Sequence, residues 1–146
     1  MKVLDSLKHE VIKIMDNDPA HDFEHVMRVY NNAKKISKQE KANQKLVLSA
    51  ALLHDIVSYP KSSKRSKFSS IDSAKKSKSI LKKYDFTTEE IIIVFDAIVD
   101  HSFSQNKIPQ TLEGKILQDA DRLDALGSIG IARVFATSGS LNRPFY

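Results

Sequence analysis

The sequence predicts an all-α fold, a single helical bundle built around one buried central helix. Three observations carry that expectation. Only 4 Gly and 4 Pro interrupt the 146 residues, no stretch alternates apolar and polar residues over strand-like lengths, and long segments repeat their apolar side chains at helical spacing. A chain of this length buries one core without staples, so a single domain over 1–146 is expected.

The first helix is expected from about Val3 to Met15, on an amphipathic pattern. The turn Asn17-Asp18-Pro19-Ala20 ends it, offering Asp18 as an N-cap and Pro19 in the first turn of the next helix. That second helix should run to about Gln39 and bury Phe23, Val26, Tyr30 and Ala33. A third, from about Asn43 to Val57, is apolar on every side (Leu46, Val47, Leu48, Ala50, Ala51, Leu52, Leu53), as in a helix surrounded by others. Near its end stand His54 and Asp55. Residues 58–70, rich in Ser and Lys, read as a surface loop. Further helices are expected over about Ile71–Tyr84, Thr88–His101, Leu112–Leu126 and Ile129–Ala136, with Thr87 or Thr88 and Thr111 as N-caps.

Composition narrows the chemistry. Cysteine is absent, which removes disulfides, thiolate nucleophiles and thiolate metal sites and leaves His, Asp and Glu as metal ligands. The net charge of +5 is uneven: Lys61, Lys64, Arg65, Lys67, Lys75, Lys76, Lys78, Lys82 and Lys83 have only Asp72 among them, a stretch that attracts anions. No apolar run approaches the roughly 20 residues of a membrane span. Asp5 and Glu10 interrupt the amino-terminal segment, unlike the core of a secretory signal, so the cytoplasm is the expected compartment.

Three clusters are candidates for a site. His54-Asp55 closes an apolar helix, where a buried carboxylate needs a cation or hydrogen bonds to compensate it. The competing account makes His54 a cation at a helix C-terminus and Asp55 a cap, and it is the commoner one for a lone pair. In HDFEHVMRV, His21, His25 and Arg28 fall along one side of the second helix. His25 is the favoured metal ligand there, while His21 and Asp22 suit a solvated first turn. In QDADRLDALG, Ile116, Leu117, Ala120, Leu123 and Leu126 define the expected buried face, with Asp124 on it and Asp119 and Asp121 beside it. Periodicity does not choose among these carboxylates. One of them is free to cap a helix or pair with Arg28 while the rest face water.

HDFEHVMRV, LLHDIV and DADRLDALGSIGIAR, in that order, resemble the motifs of the HD superfamily of metal-dependent phosphohydrolases. PKSS, SSIDSA and IVDHSFS also resemble a subgroup of small bacterial HD hydrolases, so the similarity runs from about Pro19 to Phe135. The resemblance implies an HD-type bundle whose metal ligands and catalytic residues are His25, His54, Asp55 and Asp121. Members of the subgroup continue past the RPFY at which this chain stops, so the last helices of relatives are expected to be missing here; if those helices complete a pocket wall or dimer contact, activity and substrate choice depend on them.

Mixed imidazole and carboxylate ligation suits Mn, Fe, Co, Ni or Zn better than Mg or Ca, and family similarity makes manganese the first choice. The implied reaction is direct attack on phosphorus by a metal-activated water, with Asp55 also holding that water and no covalent enzyme intermediate. Lys61, singled out by the PKSS resemblance, and Arg65 are the expected phosphate clamps. His101 is a candidate contact to the phosphate or leaving group, and Arg133 a weaker one. The commoner role for a lysine in such a run is solvated surface charge, and His101 equally suits a helix cap. His9 is assigned to the surface.

The leading function is a nucleotide pyrophosphatase or phosphatase. Two alternatives remain at this point, a nucleic-acid-binding helical module and a metal-bound domain that senses a nucleotide without turnover. Only Phe68 is interleaved in the Lys-rich run before Tyr84, which argues against single-strand stacking.

Overall fold

The computed structural model describes residues 2–15, 22–60, 62–102 and 106–144, and every regular element among them is helical. The helix α1 (Lys2–Met15) buries Leu7, Val11 and Met15, one residue per turn along a single stripe. It is followed by α2 (Phe23–Gln39), which buries His25, Val26, Val29, Ala33 and Ser37. The cap described for α2 is Asp22, whose side chain accepts from the His25 amide at 2.9 Å. Asp22 is exposed at the helix start, as expected, and there its carboxylate caps the first turn. Asp18 and Pro19 lie outside the described residues.

At the centre stands α3 (Gln44–Leu53), capped by Asn43 and packed against α1, α2, α4, α5 and α6. Every residue from Leu46 to Leu53 is buried. Burying a Leu or Val side chain stabilises a fold by about 1.5–3 kcal/mol, so this helix anchors the core. It stops at Leu53, with His54 as C-cap, rather than running to Val57. Ile56 is nevertheless buried, and the Val57 amide donates to the Ser73 hydroxyl at 3.0 Å, so the turn is pinned against the next helix.

That next helix, α4 (Ser69–Leu81), follows a short 3-10 turn at Ser66–Phe68 and leads into another at Lys82–Tyr84. Part of the expected loop is therefore helical. Ser70, Ser73 and Ser77 are buried on α4, where Ser73 and Ser77 bond carbonyl groups of Val57 and Ala74. Small hydroxyls that satisfy themselves against backbone allow close packing, which their polarity disguises in a sequence.

The capping box of Thr87 and Glu90 starts α5 (Thr88–Asp100), and Thr111 caps α6 (Leu112–Leu123). Leu123 and Leu126 are 46% and 67% exposed, against the expectation that they extend the buried face. The reason is geometric: α6 ends at Leu123, and the chain turns away through Asp124–Leu126. Gly127, at φ +74°, then allows the reversal into α7 (Gly127–Ser140). A Cβ at Gly130 would collide with the Ala125 carbonyl, which makes glycine necessary at this approach. No described helix is long and apolar enough to cross a membrane.

Candidate metal centre

Helix ends, not helix middles, build the site. His54 and His101 are the C-caps of α3 and α5, and each folds back so that Nδ1–H donates to the carbonyl three residues earlier. His54 reaches Ala51 at 2.8 Å and His101 reaches Ile98 at 2.6 Å. This satisfies carbonyls that a helix terminus leaves free and commits each ring's Nδ1, so that Nε2 keeps its lone pair. The two rings meet edge to face, with centroids 5.1 Å apart, and both residues are buried.

His25, in the first turn of α2, completes the cluster with Asp121 near the end of α6. His25 Nε2 lies 3.3 Å from His54 Nε2 and 3.2 Å from Asp121 Oδ1, and His54 Nε2 lies 3.9 Å from Asp121 Oδ1. Transition-metal bonds to N and O are about 2.0–2.2 Å, so two ligands on one ion stand about 3–4 Å apart. All three separations fit a single ion. His25, His54 and Asp121 form a group of the kind that could hold a metal.

The electrostatics follow from burial and proximity. Burial and the neighbouring His101 and His25 push the His54 imidazole below its ordinary value, Asp55 and Asp121 opposing. Burial also pulls His25 down, but hydrogen bonds to Asp121 and Asp124 outweigh it and the net shift is upward. For Asp121 burial raises the carboxyl, yet the His25 bond and the charges of His54 and His101 hold it far below the usual carboxylate range. A proton on His25 Nε2 would meet acceptors at Asp121 Oδ1 and His54 Nε2. Proton and cation therefore compete for one point.

Asp124, on the same helix end, is used differently. Its side chain is 4% exposed and takes His25 Nδ1–H at 2.6 Å, Arg28 Nε at 2.6 Å and Arg133 Nη1 at 2.7 Å. The pairing with Arg28 that the sequence left open thus falls to Asp124, while Asp119 faces solvent. Asp55 is half-buried in the turn after His54 and does not join the three-residue group among the described residues. Arg65 lies over the Tyr59 ring and donates to its hydroxyl at 3.1 Å, and Tyr59 donates to Asp72. Its contacts are not with the cluster. Arg133 is engaged with Asp124, and Lys61 and His21 lie outside the described residues. His9 is exposed, as expected, and bonds the Asp5 carbonyl.

A cleft of about 330 Å³ opens beside this network, lined by Arg28, Asn31, Asn32, Asp124 and the start of α7. The three clustered residues do not line it.

Comparison with known proteins bears on this geometry. The HD domain family matches residues 22–126. YpgQ of Bacillus subtilis (strain 168), an uncharacterized protein, is 35% identical over 139 residues, covering 91% of this chain. The chain spans 64% of that relative's length. A crystal structure of YpgQ in complex with ADP superposes with a TM-score of 0.76 at 30% identity, covering 99% of this chain and 70% of that one. A predicted HD superfamily hydrolase from an uncultured Thermotogales bacterium gives a TM-score of 0.67 at 37% identity, covering 92% and 73%. An HD-superfamily hydrolase from Bacillus thuringiensis gives 0.73 at 35%, covering 98% and 68%. The matched span holds all three clustered residues, and the chain belongs to the HD superfamily.

Proposed function

We propose that this chain is a metal-dependent phosphohydrolase acting on a nucleotide, releasing phosphate or pyrophosphate. The observation that carries the reading is the convergence of His25 Nε2, His54 Nε2 and Asp121 Oδ1 at separations that suit one cation. Asp55, adjacent to His54, is assigned as the fourth ligand and as the residue that orients the attacking water. A divalent transition ion held there, with manganese first, would lower the pKa of a water and polarise a phosphoryl oxygen.

The protein's own contributions are orientation and proton handling. His54 and His101 each have Nδ1–H committed to backbone, so their Nε2 atoms are the ones left for the site. His101 is thereby the group assigned to the phosphate or leaving group, able to hold or pass a proton at Nε2. Lys61 and Arg65 are assigned to phosphate charge, in a segment whose excess of cations would concentrate anions. The Bacillus subtilis relative crystallised with ADP supports a nucleotide as the substrate class.

A manganese-supplemented screen of nucleoside mono-, di- and triphosphates, with products identified, tests the proposal. The expected result is phosphate or pyrophosphate release from at least one nucleotide, stopped by chelator and by Asp121→Asn. Turnover indifferent to both, or no turnover on any nucleotide, contradicts it.

A further inference from the structure

The three histidines do not fix their tautomers in the same way. His54 and His101 use carbonyls at the ends of their own helices. His25 stands at the start of α2, where the backbone offers free amides and no free carbonyl. An acceptor must come from elsewhere, and it comes from Asp124, 99 residues later in the chain, at 2.6 Å from Nδ1.

Asp124 is itself held. Arg28 Nε donates to Oδ1 at 2.6 Å and Arg28 Nη2 to Oδ2 at 3.2 Å, while Arg133 Nη1 reaches Oδ2 at 2.7 Å. With both oxygens occupied, this carboxylate is not free to swing toward the cluster, whereas no arginine bond is described for Asp121. Arg133 belongs to α7, whose one buried residue is Gly130. It also stands 2.9 Å from His25 Nδ1, a donor facing a donor, which is tolerable because Asp124 is shared between them.

Resting on the metal reading above, we propose that Asp124, clamped by Arg28 and Arg133, is a positioning residue that fixes His25 with Nδ1 protonated and Nε2 bare. The seating of α7 through Arg133 thereby tunes the affinity of the centre. The carboxylate–histidine–metal arrangement is a general device, and loss of such a partner typically costs about 10–100-fold in metal affinity.

The test pairs two measurements on the full chain. Long-range ¹H–¹⁵N correlation of the histidine rings in chelator-treated protein, at a pH where His25 is neutral, reads its tautomer without any metal. Cobalt titration followed by visible absorption reads affinity. Wild type should show the Nδ1–H form. In Asp124→Ala the ring should move toward Nε2–H and the cobalt Kd rise about 10–100-fold. Asp124→Asn, which keeps an oxygen acceptor, should lose less, and Arg133→Gln should weaken cobalt several-fold with Arg133→Lys restoring part of it. Circular dichroism checks folding. If Asp124→Ala does not fold, Asp124→Asn and Arg133→Gln decide, and wild-type affinity in both overturns the proposal. An unchanged tautomer in folded Asp124→Ala, or a cobalt Kd within about twofold of wild type, also overturns it. Wild-type protein that takes up no cobalt sinks the metal reading instead, and the tautomer measurement then still judges Asp124.

Discussion

Two helices of similar apolar character meet opposite fates. In α3, Leu46 through Leu53 are all buried, whereas α7 exposes Ile129, Ile131, Val134 and Phe135 and buries only Gly130. Five helices surround α3, while the attachments described for α7 include a glycine contact at its start and the contacts of Arg133 with Asp124 and His25. Apolar content states what a helix is able to bury; what it does bury depends on the neighbours it is given. The difference also reaches the site. One helix supplies the ligand candidate His54 from its end, and the other reaches a different histidine, His25, through Arg133 and its salt bridge to Asp124.

The sharpest way to break this comparison is at the end of α3. His54→Ala should reduce manganese-dependent turnover by more than the roughly 100-fold upper cost of losing a supporting partner, measured by product release with excess metal. A smaller loss would mean that the rigid end is not where the chemistry sits.

Stability sharpens it next. Leu53→Ala, at a fully buried position on α3, should cost about 2–5 kcal/mol in urea unfolding. Val134→Ala, 63% exposed on α7, should stay within about 0.5 kcal/mol. Similar values for the two would show that α7 is covered in solution.

A smaller effect concerns acidity. His25 is held above its ordinary value of about 6.5 by its carboxylate neighbours, against its burial. Its protonated ring has no lone pair at Nε2, so on the proposed reading manganese affinity should be full above the raised value and should fall as pH drops through it, by up to about tenfold per pH unit. Isothermal titration across pH 5.5 to 8.5 checks the sign, and affinity that rises on acidification would refute it. The smallest expected change is Ser49→Ala. This hydroxyl is fully buried on α3 with no hydrogen-bond partner among the described residues, so removing it should be neutral or slightly stabilising in the same urea assay.

How legible was this in the sequence? The all-helical class, the central helix and the threonine caps, Thr111 and one of the pair Thr87 and Thr88, follow from periodicity and side-chain chemistry alone, because each is a local property. The choice between Asp121 and Asp124 is not local. It turns on which oxygen the remote Arg28 and Arg133 reach, and residue spacing on one helix carries no such information. Leu123 and Leu126 were misjudged for a related reason: a helical stripe predicts burial only as far as a partner extends. Ser73 and Ser77 hid a packed face of α4 behind polar names. Arg133 reads in the sequence as a weaker phosphate contact, and its bond to Asp124, nine residues earlier across a chain reversal, is not visible there.

The most direct test of the central claim is an anomalous difference map from crystals of this chain grown with manganese. A single peak within bonding distance of His25 Nε2, His54 Nε2 and an Asp121 oxygen is the expected result. A peak bound elsewhere, or none at full metal loading, contradicts the account.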